Sequence, residues 1–201
     1  EGFVLSGCKV VLLDIRKKNL QNVSKNISKL GKFDVSCLKI DSTKKSQHIK
    51  VLNIILKKYN KIDTIINGSG INSPLDFFDI NEKQWNEVVV SQLNSTFLSC
   101  QVFGKYMVNN KSGSIINISS ASSGPPLSKA FAYSASKSAI KNLTQNLARE
   151  FAKHNVRVNS LRPGFFPTKW NLKNFIDKKR KNQILNHTPM KRFGDTKELI
   201  G

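Results

Sequence analysis

Cysteine is scarce in this 201-residue chain: there are three, Cys8, Cys37 and Cys100, an odd number set far apart. That spacing argues against a disulfide framework or a metal knuckle, and reads instead as buried or half-buried thiols in a reducing compartment. Histidine is as dispersed, at His48, His154 and His187, so no metal-ligand set is visible. There is no Gly-x-Ser-x-Gly elbow to support a hydrolase. No apolar run approaches the roughly 18 residues of a membrane span, and no signal-peptide pattern precedes the first strand pattern. A cytoplasmic protein without a membrane partner is therefore the default. Acidic residues are the remaining shortage, 13 Asp and Glu against 33 Lys and Arg, for a formal charge of +20. Such an excess raises the question of nucleic acid. The lysines, however, fall as doublets (Lys17-Lys18, Lys44-Lys45, Lys57-Lys58) on outer helix faces, with one cluster at Lys178-Lys179-Arg180-Lys181. No zinc-finger spacing, aromatic-rich basic strand or basic recognition helix accompanies them, so the charge reads as solvated surface and not as a nucleic-acid site.

What the chain does contain is a folded composition, 39% hydrophobic and 23% charged, in which apolar runs of strand length alternate with helical periodicity. Strands are expected at 9–14, 35–41, 62–67, 114–119 and 156–161. In the intervening helices Leu52, Ile55, Leu56 and Tyr59, then Trp85, Val88, Val89 and Gln92, repeat the i, i+3, i+4, i+7 spacing of an inward stripe. A third stripe is Ile140, Leu143, Leu147 and Phe151. The pattern is that of βαβ units and a mostly parallel sheet, in one domain over 1–201 without repeats or linkers. The chain opens Glu1-Gly2-Phe3 without a methionine and stops at Leu199-Ile200-Gly201 inside a helical pattern, so both ends are expected to be cut.

Ligands of an open parallel sheet bind along the carboxyl edge of its strands. Here those ends carry Asp14, Asp41, Asn67-Gly68-Ser69-Gly70, Ser119-Ser120 and Pro163-Gly164. Asp14 can accept hydrogen bonds from ribose hydroxyls, which favours NAD over a 2′-phosphate, while Arg16 and Lys17 keep NADP open. Gly68 and Gly70 allow backbone to approach a bulky ligand. The competing readings are a helix cap for Asp14 and turn punctuation for the glycines.

One helical turn separates Tyr133 from Lys137. Side chains so spaced share a helix face, and a nearby cation favours the phenolate. Moving a phenol from about pH 10 to about pH 7 takes roughly 4 kcal/mol, which a unit charge at about 4 Å supplies at an effective dielectric of about 20. Ser120, on the loop before this helix, can place a second hydroxyl beside the same oxygen.

Taken together, Asp14, Asp41, Asn67-Gly68-Ser69-Gly70, Ile116-Asn-Ile-Ser-Ser120, Tyr133-x-x-x-Lys137 and Arg162-Pro163-Gly164 with Thr168 resemble the short-chain dehydrogenase/reductase family over nearly the whole chain. The resemblance implies a Rossmann-like, doubly wound parallel sheet in three α/β/α layers, truncated at both ends, and hydride transfer between NAD(P) and a secondary alcohol or ketone. By the same resemblance Tyr133 exchanges the hydroxyl proton, Ser120 orients the substrate oxygen, and Lys137 lowers the tyrosine pKa and holds the nicotinamide ribose. Asp14, Asp41, Asn67, Gly68 and Gly70 would border the adenosine side, and Pro163, Gly164 and Thr168 the nicotinamide end. The family's Gly-rich turn and its strand would precede Glu1. That strand belongs at the sheet centre, so these residues alone are expected to leave the sheet split and to bind dinucleotide poorly. Gln92 stands where the family usually has the asparagine of its proton relay, and is expected to be buried and to serve the same water.

Specificity is expected from the segment at about 165–190 and from the loop 122–131. Gly164-Phe-Phe-Pro-Thr168 and Asn186-His-Thr-Pro-Met-Lys-Arg-Phe-Gly194 resemble the sugar-acid branch, that of mannonate/fructuronate or gluconate reductases. Lys129 and His187 are candidates for a substrate carboxylate. Reduction of 3-oxoacyl thioesters on an acidic carrier, and a non-catalytic dinucleotide- or polyanion-binding role, are the alternatives. A small-molecule substrate and a homo-oligomer, dimer or tetramer, through helices at about 82–110 and 133–153 complete the expectation.

Overall fold

The computed structural model describes residues 1–168, 172–173 and 176–200. Five strands form: β1 (Val10–Asp14), β2 (Val35–Lys39), β3 (Thr64–Asn67), β4 (Gly113–Ile118) and β5 (Val156–Leu161). All five expected strands are present, with ends moved by one or two residues. Every pairing is parallel, and the strands fall into two sheets, β1-β2 and β3-β4-β5. The sheet is thus divided between β1 and β3, as expected, and each of these strands keeps one unpaired edge. Around the strands run helices α1 (Gly2–Leu5), α2 (Lys17–Ser28), α3 (Lys45–Tyr59), α4 (Glu82–Val89), α5 (Ser95–Asn109), α6 (Phe131–Phe151) and α7 (Lys178–Asn186).

Two apolar clusters hold these parts together. Phe103 of α5 packs with Val51 and Ile55 of α3 and with Ile40, and Val11, Leu38, Ile62 and Ile65 lie against them. Residues from both sheets meet in this cluster, so α3 and α5 bridge the division. The second cluster, Cys100, Met107, Ile115, Val156 and Val158, is closed by Leu147 and Phe151 of α6. Met107 and Ile115 are wholly buried, and each such side chain contributes roughly 1.5–3 kcal/mol.

Local chemistry sets the helix ends. The Asn81 side chain accepts from the Gln84 amide while Gln84 reaches back to the Asn81 amide, a capping box that starts α4. Asn60 and Asn155 end their helical segments in the left-handed region, at φ 65° and 59°, a conformation asparagine tolerates. Between α4 and α5 the chain widens into one π turn, Val90–Asn94, the kind of bulge that re-aims side chains.

Three expectations need correction. Trp85 is 37% exposed, because the inward stripe of α4 narrows to Val88 before the π turn. Cys8 and Cys37 are exposed, and Cys100 alone is buried. Arg180, read as part of a solvated basic cluster, is buried.

Candidate active site

Helix α6 supplies the centre of the site. Tyr133 lies in its first turn and Lys137 one turn later, and the Lys137 Nζ sits 5.5 Å from the Tyr133 ring centroid. Lys137 is 4% exposed, and its ammonium donates to the Ile118 carbonyl at 2.7 Å. The Ser119 hydroxyl donates to the Lys137 carbonyl at 2.8 Å. Two bonds of opposite direction therefore fix the end of β4 against the first turns of α6. Ser120 follows, its hydroxyl oxygen accepting from the Ser122 amide and hydroxyl at 3.2 and 3.0 Å, and the Tyr133 phenol approaches it, an interaction that favours the ionised phenol. The Ala121 amide donates to the Pro163 carbonyl at 3.0 Å, which brings in the chain beyond β5. Ser120, Tyr133, Lys137 and Pro163 are thus assembled in one place.

The electrostatics differ from the sequence expectation. Burial pushes the Tyr133 pKa above the ordinary phenol value, and the Ser120 hydrogen bond opposes this only in part. Burial also pulls Lys137 down to about 8. Burial outweighs the cation beside the ring in this structure: the Lys137 ammonium is turned to the Ile118 carbonyl, and desolvation acts against both charges. At neutral pH Tyr133 is a neutral hydroxyl, a proton donor.

On the opposite side of the edge, Asp14 accepts from the Arg16 amide at 2.7 Å and from the Asn19 side chain at 3.2 Å. The helix cap weighed for it is not formed, since Arg16 occupies the N-cap of α2 without a side-chain bond; Asp14 holds the turn before it instead, yet its side chain stays 32% exposed, with lone pairs left for ribose hydroxyls. Asp41 accepts from the Thr43 hydroxyl at 2.6 Å and the Thr43 amide at 3.0 Å, and the first of these holds its pKa below the usual value. Ser42 donates to Ser69 at 3.3 Å, which joins the ends of β2 and β3. Asn67 turns away from the edge: its amide donates to Asn117 at 2.9 Å and to the Cys100 sulfur at 3.5 Å. Its side chain is therefore a core group, and only its backbone faces the cofactor edge. A Cβ on Gly164 would meet nothing within 4 Å, so the nicotinamide end is open. Thr168 is exposed there and accepts from the Leu172 amide at 3.0 Å.

Gln92 is 3% exposed, as expected. Its Nε2 donates to the Ile71 carbonyl at 2.8 Å, and its Oε1 is buried without a hydrogen-bond partner. A Cβ on Gly70, whose φ is +149°, would lie 2.2 Å from the Gln92 Cδ. The amide thus clasps the Gly70–Ile71 loop, helped by the Ser91 hydroxyl, which accepts from the Ile71 amide at 3.2 Å.

Of the two carboxylate-binding candidates, Lys129 is paired with Asp76 at 2.9 Å, and His187 is exposed just past the end of α7. The segment at about 165–190 is described except for residues 169–171 and 174–175. Sequence reasoning missed the buried polar chain from Asn67 through Asn117 to Thr144. A lone Asn inside the apolar run Ile115-Ile116-Asn117-Ile118 was the available signal.

The site can be set beside known proteins. A family model described as short chain dehydrogenase matches residues 1–179. The uncharacterized oxidoreductase UxuB of Bacillus subtilis (strain 168) is 34% identical over 216 residues, 97% of this chain and 77% of that protein. The 5-keto-D-gluconate 5-reductase of Escherichia coli (strain K12) is 30% identical over 206 residues, 100% of this chain and 81% of that enzyme. Among solved structures, a gluconate 5-dehydrogenase from Burkholderia cenocepacia J2315, in complex with NADP and tartrate, superposes with a TM-score of 0.91. It covers 100% of this chain and 78% of its own and is 24% identical, a likeness that speaks to the fold.

Proposed function

The chain belongs to the short-chain dehydrogenase family, and from that premise we propose that it is an NAD(P)-dependent oxidoreductase that interconverts a keto sugar acid and its secondary alcohol. The observation that carries the proposal is the assembled triplet: the Tyr133 phenol, the Ser120 hydroxyl close enough to favour its ionised form, and the buried Lys137 ammonium beside its ring. In reduction, the substrate carbonyl carbon gains a hydride and its oxygen gains the Tyr133 proton, so the C=O becomes CH–OH. A bound nicotinamide supplies or takes the hydride. Ser120 orients the carbonyl oxygen, and Tyr133, neutral at pH 7, hands over its proton as negative charge builds there.

The residues present suit such a cofactor. Lys137 spends one ammonium hydrogen on Ile118, which leaves two of its three donors for ribose hydroxyls. Asp14 serves the adenosine ribose in this reading, Asp41 and the backbone of Asn67, Gly68 and Gly70 the adenine side, and Pro163, Gly164 and Thr168 the nicotinamide end. Asp14 favours NAD; Arg16, 74% exposed and 3.8 Å from it, can receive a 2′-phosphate, so NADP also fits.

The sugar-acid assignment is supported by the 5-keto-D-gluconate 5-reductase among the similar proteins. Lys129 and His187 are its carboxylate ligands. The Lys129–Asp76 pair is 45% and 68% exposed, and pairs so solvated are worth about 1 kcal/mol or less. A substrate carboxylate can therefore replace Asp76. Gln92 belongs to the site as the clasp of the Gly70 loop and, through Oε1, as an acceptor for a relay water. A second copy of the chain is the partner we propose, docked on the groove of α5 and α6, where Phe97 is 45% exposed beside Leu143, Leu147 and Phe151. A cytoplasmic location is part of the same reading, supported by three free cysteines of which two are exposed.

The test is NADH or NADPH oxidation with 5-keto-D-gluconate and, in parallel, a 3-oxoacyl thioester. Turnover of the keto sugar acid, lost by at least about 10³-fold in Tyr133→Phe, is the expected outcome. Preference for the thioester would transfer the protein to the acyl-reductase reading. Turnover that survives Tyr133→Phe would remove the catalytic assignment.

A further inference from the structure

The basic cluster at the start of α7 has one member unlike the others. Lys178, Lys179 and Lys181 are exposed, whereas Arg180 is 8% exposed. The helix is placed so that this side chain points inward: Asp177 caps it, its carboxylate accepting from the Arg180 amide at 2.6 Å. Burial works against the guanidinium charge and Asp177 works for it. Inside, the Arg180 Nη2 donates to the Ser128 carbonyl.

Ser128 is on the loop that runs into the first turn of α6, where Tyr133 lies. The peptide that carries its carbonyl is oriented by Lys129, which holds φ at 53°. A left-handed lysine is uncommon and persists only where neighbouring contacts enforce it. Two contacts converge there, Arg180 on the Ser128 carbonyl and Asp76 on the Lys129 ammonium. The second is solvated and weak; the first is part-buried and charge-assisted, roughly twice as strong as a neutral hydrogen bond. Arg180 is therefore a contact through which α7 reaches the loop before the reacting hydroxyls.

We propose that Arg180 is a positioning residue for substrate: its guanidinium holds α7 and the 122–131 loop together, and that union sets the wall against which the substrate is bound. The proposal rests on the reading of Ser120 and Tyr133 as the reacting groups. Arginine suits the role because its planar fork keeps one N–H on a carbonyl in a fixed direction, which an ammonium does less well.

The test compares Arg180→Met and Arg180→Lys with the parent protein in two measurements. The first is deuterium exchange of the loop amides 127–130 and of α7. The expected result is at least tenfold faster exchange in both segments for Arg180→Met, partial protection in Arg180→Lys, and unchanged exchange in β4 and β5. The second is steady-state kinetics with 5-keto-D-gluconate, where KM is expected to rise at least fivefold while the KM for NADPH stays within twofold. Unchanged loop exchange overturns the clamp, and faster exchange with an unchanged substrate KM overturns the positioning role. If Arg180→Met does not fold, the exchange and KM of Arg180→Lys decide both points. Absence of turnover in the parent would fail the proposed function instead, and the exchange data would still decide whether the clamp exists.

Discussion

Replacing Lys137 by methionine separates the two things that residue does. The folded protein holds the Lys137 pKa at about 8 against an ordinary 10.5, with burial as the cause. At 1.36 kcal/mol per pH unit, the charged side chain costs the fold about 3 kcal/mol below pH 8. The sign follows from proton counts: between about pH 8 and 10.5 the unfolded chain holds this proton and the folded chain has lost it, so stability rises with pH through that window. Methionine removes the cost but leaves the Ile118 carbonyl without its 2.7 Å donor, a penalty of about 1–3 kcal/mol that does not vary with pH. The net change at pH 7 is thus small. The difference between the two proteins, however, must move by about 2 kcal/mol between pH 7 and pH 9.5, with the parent gaining on the variant. Urea unfolding followed by circular dichroism at those two pH values measures it. A difference that stays flat within about 0.5 kcal/mol, or moves the other way, refutes the placement of a desolvated ammonium, bonded to a carbonyl and without a carboxylate partner, at this position. The same variant is expected to lose turnover.

Gly70→Ala is expected to destabilise by roughly 2–4 kcal/mol: a residue at φ +149° is strained by about 1–3 kcal/mol, and the new Cβ would displace the Gln92 amide from Ile71, losing about 1 kcal/mol more. Adding Gln92→Ala should recover about 1 kcal/mol of that in urea unfolding, and strict additivity would show that the two residues do not touch. Lys129→Ala should raise the KM for 5-keto-D-gluconate severalfold while changing stability by less than about 1 kcal/mol, since its partner Asp76 is exposed; an unchanged KM would end the carboxylate assignment.

Legibility followed the length scale of the signal. Strand-length apolar runs and helical stripes are local, and all five strands and the main helices stand where those patterns put them. Motif residues at strand ends are also local: Ser120, Tyr133 and Lys137 meet because β4 delivers its end to the first turns of α6. Direction of side chains was harder. Trp85 misled because the stripe of α4 narrows to Val88, so the helix start that carries Trp85 stays at the surface, and periodicity does not say where along a helix the cover begins. The lowering of the Tyr133 pKa by Lys137 failed because charge effect and burial have opposite signs, and sequence spacing speaks only to the first. Arg180 was hidden by its lysine neighbours, since a charge cluster gives no sign of which member turns inward.

The buried polar chain explains why the two halves of the site can act together. Asn117, 0% exposed, accepts from Asn67 at 2.9 Å and donates to the Thr144 hydroxyl at 3.0 Å, and that hydroxyl donates to the Ile140 carbonyl at 2.7 Å. Cys100 joins it as a neutral thiol, its pKa pushed by burial to about 11. Each of these side chains has a partner, so the chain escapes the penalty of an orphaned buried group. It begins at the end of β3, where Asn67 leads into the Gly68–Gly70 turn, crosses β4, and ends on α6 two turns beyond Lys137. Any shift of the cofactor edge relative to the proton donor must therefore break a buried hydrogen bond. In the proposed reading, α6 and the Gly68–Gly70 loop are thus held as one unit by side chains that touch neither ligand.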